Sequence, residues 1–259
     1  MNKIKFGLVT GAAGLLGFEH CKTLLNAGFG LIMIDINERL LKKKYKILTE
    51  KYKNIPIKFF VVDISSESEM KKMIFKLNKE NFFVRVLINN ACIDPKPQKI
   101  SKRKNIIKTW DLELNVGLKG AYLAIELFSE KMKENKDGCI INMASDLSII
   151  APNQDIYKGV YKNFIKPVTY SVIKHGLVGM TKYYAANLAK YNITCNAISP
   201  VGVYDNQPQK FVKNLINLIP MKRMATKNDI NFLVQFLIND NQRFITGQNI
   251  VIDGGRTIL

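Results

Sequence analysis

The sequence is poor in the residues on which metal-binding, disulfide-bonded and membrane proteins depend. It has four cysteines in 259 residues, and no two of them form a C-x-x-C pair. Clustered zinc ligands are therefore not expected, and Cys21, Cys139 and Cys195, which lie in apolar segments, are interpreted as buried small hydrophobes. No apolar run approaches the roughly 18 residues of a membrane span. The sequence predicts no metal site, no transmembrane segment and a reduced, cytoplasmic setting.

Histidine and acidic residues are also scarce. Neither His20 nor His175 stands in a pattern typical of catalysis, and 39 Lys and Arg face 21 Asp and Glu, for a net charge of +18. A nucleic-acid binder would gather its cations in one stripe with aromatics, and a membrane-surface protein would carry one basic amphipathic helix. Here lysine is spread along the whole chain. A lysine-rich composition with a general attraction for anionic small molecules is the favoured interpretation, without nucleic acid or membrane as partner.

Short apolar runs alternate with longer amphipathic segments. The first six runs are continuous, which is typical of strands buried on both faces of a parallel sheet. The predicted strands are Ile4–Val9, Leu31–Asp35, Ile57–Val62, Val84–Ile88, Cys139–Met143, Ile193–Ile198 and Asn249–Ile252. The predicted helices are Leu15–Ala27, Glu38–Lys53, Ser66–Glu80, Trp110–Lys133, Val168–Tyr191 and Thr226–Leu237. We predict one α/β domain over residues 1–259, with a doubly wound, parallel, seven-stranded sheet and helices on both faces.

Two irregular stretches, Asp94–Lys108 and Asp146–Pro167, follow strands. In open α/β sheets, ligands bind outside the carboxyl ends of the strands. Long loops at that edge are usually functional.

A glycine-rich turn connects the first strand to the first helix. Gly11, Gly14 and Gly17 allow a tight turn and a close approach of backbone amides to a pyrophosphate. Asp35 ends the second strand, where a carboxylate can bind ribose hydroxyls and repel a 2′-phosphate, so NAD is favoured over NADP; the alternative is a solvated strand-end residue. Asp63 ends the third strand, where it either binds adenine or caps the next helix.

Tyr170 and Lys174 lie four residues apart at the start of a predicted helix. This spacing places both side chains on one helix face. A phenol has a pKa of about 10, and a nearby ammonium lowers it toward the range useful for acid/base catalysis.

The ordered motifs resemble those of the classical short-chain dehydrogenases/reductases over essentially the whole chain. They are Thr10–Gly17, Asp63, Asn89-Asn90-Ala91, Asn115, Ser145, Tyr170 with Lys174, Ser199-Pro200-Val201-Gly202 and Ile252-Asp253-Gly254-Gly255. The resemblance implies a Rossmann fold, a nicotinamide cofactor and a homodimer or homotetramer.

The same resemblance implies roles for individual residues. Tyr170 would exchange a proton with the substrate oxygen, Lys174 would lower its pKa and bind nicotinamide ribose, and Ser145 would hold the substrate oxygen. Asn115 would bend its helix and hold a water that links Lys174 to solvent. The implied cofactor-binding residues are Gly11, Gly14, Leu16, Gly17, Asp35, Asp63, Ile64, Asn89, Ala91, Tyr170, Lys174, Pro200 and Val203.

The chain departs from the family pattern in two places. Leu15 stands where the family has glycine. In addition, 24 residues separate Ser145 from Tyr170, about twice the usual number. Tyr157 is near the usual position, but Tyr161 rather than lysine follows it. We therefore predict an insertion within Asp155–Pro167 at the mouth of the site, either a solvated loop or subunit contact, or a clamp for an anionic or sugar-bearing substrate.

Residues Met143–Gly176 resemble flagellin-modification dehydrogenases of bacterial nonulosonic-acid pathways. This similarity implies a sugar phosphate or nucleotide-linked sugar as substrate. Two alternatives stay open: an NADPH-dependent enzyme resembling 3-oxoacyl carrier-protein reductase, against which Asp35 argues, and a non-catalytic nucleotide-binding scaffold.

Overall fold

The computed structural model describes residues 4–80, 82–94, 106–162 and 164–259. Seven parallel strands form one sheet in the order β3-β2-β1-β4-β5-β6-β7. The strands are β1 (Lys5–Thr10), β2 (Gly30–Asp35), β3 (Ile57–Val61), β4 (Phe83–Asn89), β5 (Gly138–Met143), β6 (Ile193–Pro200) and β7 (Asn249–Ile252). The helices are α1 (Leu15–Asn26), α2 (Glu38–Lys51), α3 (Glu67–Lys79), α4 (Ile106–Leu114), α5 (Gly120–Asn135), α6 (Val168–Leu188), α7 (Gln209–Ile216) and α8 (Lys227–Ile238).

The core lies on both faces of the sheet. One apolar cluster contains Leu24 of α1 and Val234 of α8. The other contains Met70 of α3, Phe128 of α5 and Leu188 of α6. Continuous apolar runs suit strands that are covered on both sides, so the predicted Rossmann-like fold with a seven-stranded parallel sheet is confirmed.

Most predicted elements are confirmed to within a few residues, and the differences concern the middle and the end of the chain. The helix predicted over Trp110–Lys133 starts at Ile106 and is interrupted by a π-helical segment, Asn115–Lys119, before α5. Helix α7 was not predicted. Ser66 caps α3 as expected, since its side chain accepts the amide hydrogen of Glu69.

The first irregular stretch, Asp94–Lys108, is described only in part, and the second, Asp146–Pro167, almost completely. Residues 95–105 of the first stretch lie outside the described residues, and its last three residues belong to α4. The second contains two short 3-10 turns, Asp146–Ser148 and Gln154–Tyr157. Cys21, Cys139 and Cys195 are buried, as predicted. Within the described residues, no helix combines the length and the apolar character that crossing a bilayer requires.

Candidate active site

The glycine turn forms a tight cradle between β1 and α1. Gly11 has φ +64°, and a Cβ added to Gly17 would lie 2.1 Å from the Gly11 carbonyl oxygen, so neither position accepts a side chain without rearrangement. Gly14 precedes α1 and supplies no side-chain cap. The first amides of a helix have no intrahelical acceptor, which leaves this helix start suited to an anionic group. Leu15 fits the first position of α1 with 38% of its surface exposed.

Hydrogen bonds of Thr10 and Asn90 connect this turn to the end of β4. The Thr10 hydroxyl oxygen accepts the amide hydrogens of Asn90 and Ala91 at 3.0 and 3.1 Å. The Asn90 side chain donates to the Thr10 carbonyl at 3.0 Å. Asn89 turns its side chain to the sheet interior and donates to Asn142 at 2.8 Å. Sequence reasoning assigned Asn89 and Ala91 to the site but missed the bracing role of Asn90, for which no local pattern gives a signal.

Asp35 lies beside the same turn. Its carboxylate accepts the amide hydrogens of Ala13 at 3.0 Å and of Asn37 at 2.9 Å. A carboxylate offers about four lone-pair positions, so two remain for hydroxyl donors. The position is therefore more constrained than a solvated strand-end residue would be.

Asp63 follows β3 at the same edge. Its Oδ1 accepts from the Ser65 amide at 2.9 Å and from the Ser65 hydroxyl at 2.7 Å. The N-cap of α3 is Ser66 rather than Asp63.

Four further predicted cofactor residues lie at or near the carboxyl edge of the sheet: Leu16, Ile64, Pro200 and Val203. Leu16 packs against the apolar cluster on the α1 side of the sheet. Ile64 is buried, and its side chain fills the space above Gly120. Pro200 ends β6, and Val203 forms an isolated bridge with Ala225.

Ser145, Tyr170 and Lys174 converge at the carboxyl end of β5. Ser145 lies two residues beyond this strand, and Lys174 donates to the Met143 carbonyl oxygen at 2.6 Å. The Lys174 ammonium is 5.4 Å from the centre of the Tyr170 ring. The Ser145 side chain lies close enough to the Tyr170 phenol to lower its pKa. The structure therefore brings together three predicted catalytic residues that come from two separate segments of the chain.

Asn115 is the first residue of the π-helical segment between α4 and α5. Its carbonyl oxygen accepts the amide hydrogen of Gly120, five residues ahead, which is the π-helical bond. Such a segment bends a helix, often at a functional site. The π-helical segment thus begins at Asn115, the residue at which a bend was predicted.

Burial dominates the electrostatics of Tyr170. Desolvation raises the pKa of its phenol well above 10, the charge of Asp94 adds to this effect, and the Ser145 side chain opposes it. Lys174 was expected to lower this pKa. In this structure desolvation sets the direction of the pKa shift of Tyr170, with the Lys174 ammonium 5.4 Å from the ring centre.

A buried ion pair supports Ser145, and sequence reasoning missed it. The Ser145 hydroxyl donates to Asp146 Oδ1 at 2.8 Å. The other oxygen of Asp146 accepts from the guanidinium of Arg256, and both charged side chains are buried. The turn before Arg256 is closed by Asp253, whose carboxylate accepts the amide of Gly255 at 2.9 Å. Burial raises the pKa of Asp146, and Arg256 opposes that shift.

The site can be compared with known proteins on this basis. The family profile described as enoyl-(acyl carrier protein) reductase matches residues 11–257. The chain belongs to this family of short-chain dehydrogenases/reductases. It is therefore an oxidoreductase by family, and the family portion of the predictions is confirmed.

Individual relatives agree over nearly the full length. The chain is 29% identical to a 3-oxoacyl-acyl-carrier-protein reductase of Thermotoga maritima, which covers 98% of both chains. It is 28% identical to an NAD-dependent glycerol dehydrogenase of Listeria innocua, covering 98% of this chain and 94% of the relative. A short-chain dehydrogenase of Leptospira borgpetersenii with bound NAD+ has a TM-score of 0.84 at 28% identity, covering 98% and 93% of the two chains.

The predicted insertion packs against α7 rather than extending into solvent. Tyr157 is buried and stacks on Phe211 of α7 at 5.7 Å between ring centres, with an angle of 24°. Phe164 meets Tyr157 edge-on at 4.6 Å. Asn214 of α7 donates to the Ile156 carbonyl at 3.1 Å. Asn163 lies outside the described residues. The interpretation as a solvated loop does not fit these buried aromatic side chains.

Gln154 closes the insertion at its base. Its amide nitrogen donates to the Lys166 carbonyl at 3.2 Å, and its amide oxygen accepts the Lys166 amide hydrogen at 2.9 Å. The Lys166 ammonium lies 3.8 Å from the centre of the Tyr170 ring and forms an ion pair with Asp94. The insertion therefore reaches directly to the predicted acid/base residue. Among the described residues, no group of His, Cys, Asp and Glu is arranged to hold a metal ion.

Proposed function

We propose that this protein is an NAD(H)-dependent oxidoreductase that interconverts an alcohol and a ketone, with Tyr170 as the acid/base. The observation that carries the proposal is the convergence of Tyr170, Ser145 and Lys174 at the carboxyl end of β5. A bound nicotinamide would supply or accept the hydride. Tyr170 would exchange the proton, and Ser145 would turn its hydroxyl hydrogen from Asp146 to hold the reacting oxygen.

The chain's own residues fit a dinucleotide at the adjoining edge. The turn with Gly11 and Gly17 leaves no room for side chains beside the start of α1, which is what close approach of a pyrophosphate requires. Asp35 keeps lone pairs free for ribose hydroxyls and would repel a 2′-phosphate. We therefore propose NAD rather than NADP, with Asp63, Ile64, Asn89, Ala91, Pro200 and Val203 lining the remainder.

The protonation of Tyr170 bears on the direction of the reaction. Because burial raises its pKa well above 10, the phenol is neutral at physiological pH. A neutral phenol is the form that donates a proton to an oxygen accepting hydride. This supports ketone reduction as the direction for which the resting site is prepared.

We propose a sugar phosphate or nucleotide-linked sugar as substrate, in the biosynthesis of a flagellin glycan. The support is the sequence similarity over Met143–Gly176 and the lysines of the insertion. The 3-oxoacyl carrier-protein reductase alternative is supported by the 29% identical Thermotoga maritima relative. A non-catalytic scaffold is disfavoured, because it would not need Ser145, Tyr170 and Lys174 together.

A homodimer or homotetramer is proposed from exposed apolar side chains on the helices around Asn115 and on α6. Leu112, Tyr122 and Tyr183 are all largely exposed to solvent. Apolar patches of this kind mark protein–protein contacts. We propose that a second copy of the chain covers them, in a compartment that keeps thiols reduced.

The deciding experiment compares the wild type with Tyr170→Phe. NADH oxidation is followed with 4-keto nucleotide sugars, with keto-sugar phosphates and with acetoacetyl-CoA as the acyl-type probe. We expect turnover of a sugar probe, loss of that turnover in Tyr170→Phe, and nearly unchanged NADH affinity in the variant. Tyr122→Phe, on a neighbouring helix, is the control. Preferential reduction of acetoacetyl-CoA would support the acyl alternative, and equal turnover by Tyr170→Phe would exclude the assigned role.

A further inference from the structure

Lys166 occupies an unusual position beside the acid/base residue. Its ammonium lies 3.8 Å from the centre of the Tyr170 ring. Only 10% of its side chain is exposed, whereas its ion-pair partner, Asp94, is 58% exposed. The Lys166 side chain is thus largely buried, whereas the Asp94 carboxylate that neutralises it lies at the surface.

The backbone of Lys166 is held in place independently of this ion pair. Both backbone polar groups of Lys166 are bonded to the amide of Gln154. The aromatic cluster of Tyr157, Phe164 and Phe211 anchors the rest of the insertion on α7. The backbone of Lys166 would therefore keep its position if Asp94 moved away, which leaves the ammonium within reach of Tyr170.

We propose that Lys166 is a substrate-binding residue that recognises an anionic group next to the reacting carbon, a phosphoryl or a carboxylate group, which takes the place of Asp94. Because this ammonium lies 3.8 Å from the centre of the Tyr170 ring, an anionic group next to a carbon whose oxygen is held at the Tyr170 hydroxyl would be within its reach. Exchange of one anion for another costs little when the resident carboxylate is solvent-exposed. The inference deepens the proposed function and rests on it for the placement of the substrate.

A second lysine of the insertion provides a matched comparison. Lys158 forms an ion pair with Asp155 at 2.6 Å, but 77% of its side chain is exposed. Both lysines lie in the insertion and both pair with an aspartate. Of the two, Lys166 is the one that lies beside Tyr170 with its side chain largely buried.

The test is a binding titration that needs no turnover. Inorganic phosphate, and separately malonate, is titrated into the NADH-loaded protein at constant ionic strength, and thermal protection is measured. In Lys166→Met we expect the midpoint for the preferred anion to be weakened about tenfold, as for loss of one charge-assisted hydrogen bond. Lys166→Arg should retain binding, and Asp94→Asn should tighten it. Lys158→Met should match the wild type.

The possible outcomes distinguish anion binding at Lys166 from attraction by the general positive charge of the protein. Unchanged binding in Lys166→Met, or equal losses in Lys166→Met and Lys158→Met, would overturn the inference, since the anion would then be held by the general positive charge. If Lys166→Met does not fold, Asp94→Asn still decides, because unchanged affinity in that variant contradicts the exchange. The better-bound anion identifies the phosphoryl or the carboxylate group. Absence of NADH-linked turnover in the wild type would refute the proposed function and leave this binding result intact.

Discussion

The hydroxyl of Ser145 donates to Asp146 at 2.8 Å, so the residue assigned to hold the substrate oxygen is itself oriented by a buried carboxylate. That carboxylate is in turn neutralised by Arg256, which lies 110 residues further along the chain. Ser145 is therefore one end of a series of polar contacts that links the end of β5 to the segment after β7.

Asp146→Asn should reduce kcat by about tenfold, because the amide orients Ser145 less strongly than a carboxylate does. The charge of Asp146 also raises the pKa of Tyr170. Its removal should therefore shift the Tyr170 limb of the pH–rate profile to lower pH. The measurement is the pH dependence of kcat and kcat/KM.

Two further variants separate this effect from simple destabilisation. Asp155→Asn, at an exposed ion pair, should behave as the wild type. The double variant of Asp146→Asn with Arg256→Gln removes the uncompensated buried guanidinium and should recover thermal stability, but not the wild-type kcat. If the double variant regains the wild-type kcat, Asp146 has no role in orienting Ser145.

Asp35 is expected to set the cofactor preference. NADH should give a lower KM and greater thermal protection than NADPH, because the carboxylate would bind the ribose hydroxyls and repel a 2′-phosphate. Asp35→Ser should narrow the NADH/NADPH ratio of kcat/KM by about tenfold, or about 1.4 kcal/mol. Glu38→Gln, an exposed carboxylate on the adjoining helix, is the control for overall charge. A wild-type preference for NADPH would contradict the argument.

His20 should make the protein sensitive to acid. It is fully buried in α1, neither ring nitrogen has a hydrogen-bond partner in the described part of the chain, and burial lowers its pKa from 6.5 to about 4. As pH falls through 6.5, the unfolded state gains a proton that the folded state does not, so stability decreases until about pH 4. One pKa unit corresponds to about 1.4 kcal/mol, so we expect a loss of about 2 kcal/mol between pH 7 and pH 5.

The measurement is urea unfolding as a function of pH in the wild type and in His20→Leu. Loss of stability below pH 6.5 should be smaller in the variant, and other titrating groups cancel in the difference. His175→Gln is the control, since His175 is exposed and its ring forms a hydrogen bond with the Ser171 carbonyl at 2.9 Å. Parallel stability curves for the wild type and His20→Leu would show that this histidine titrates normally.

The sequence predicted those parts of the fold that depend on residue patterns within a short segment of the chain. Short apolar runs, the first six of them continuous, identified the seven strands, and the Tyr170–Lys174 spacing identified a shared helix face. The break at Asn115 left the apolar periodicity of its helix intact, so residues 110–133 were predicted as one helix. Helix α7 has apolar residues at Phe211, Val212 and Leu215 on one face, a usable pattern that was overlooked because the segment is short.

Long-range polar contacts in the site had no such signal. Asp146 and Arg256 meet only because the turn at Gly255 directs the chain back to β5. Lys166 and Asp94 are 72 residues apart. Many lysines of the sequence have similar neighbouring residues along the chain. Only the folded insertion distinguishes Lys166, whose ammonium lies beside the Tyr170 ring.

The aromatic contacts between the insertion and α7 also matter for engineering. Tyr157 and Phe164 come from the insertion, but Phe211, on which Tyr157 stacks, belongs to a separate segment. A graft of residues 155–167 alone would not carry Phe211, the stacking partner of Tyr157, into a related enzyme. Transfer of substrate specificity would thus require two discontinuous segments of the chain. They would have to be exchanged together in engineering and inherited together in natural lineages.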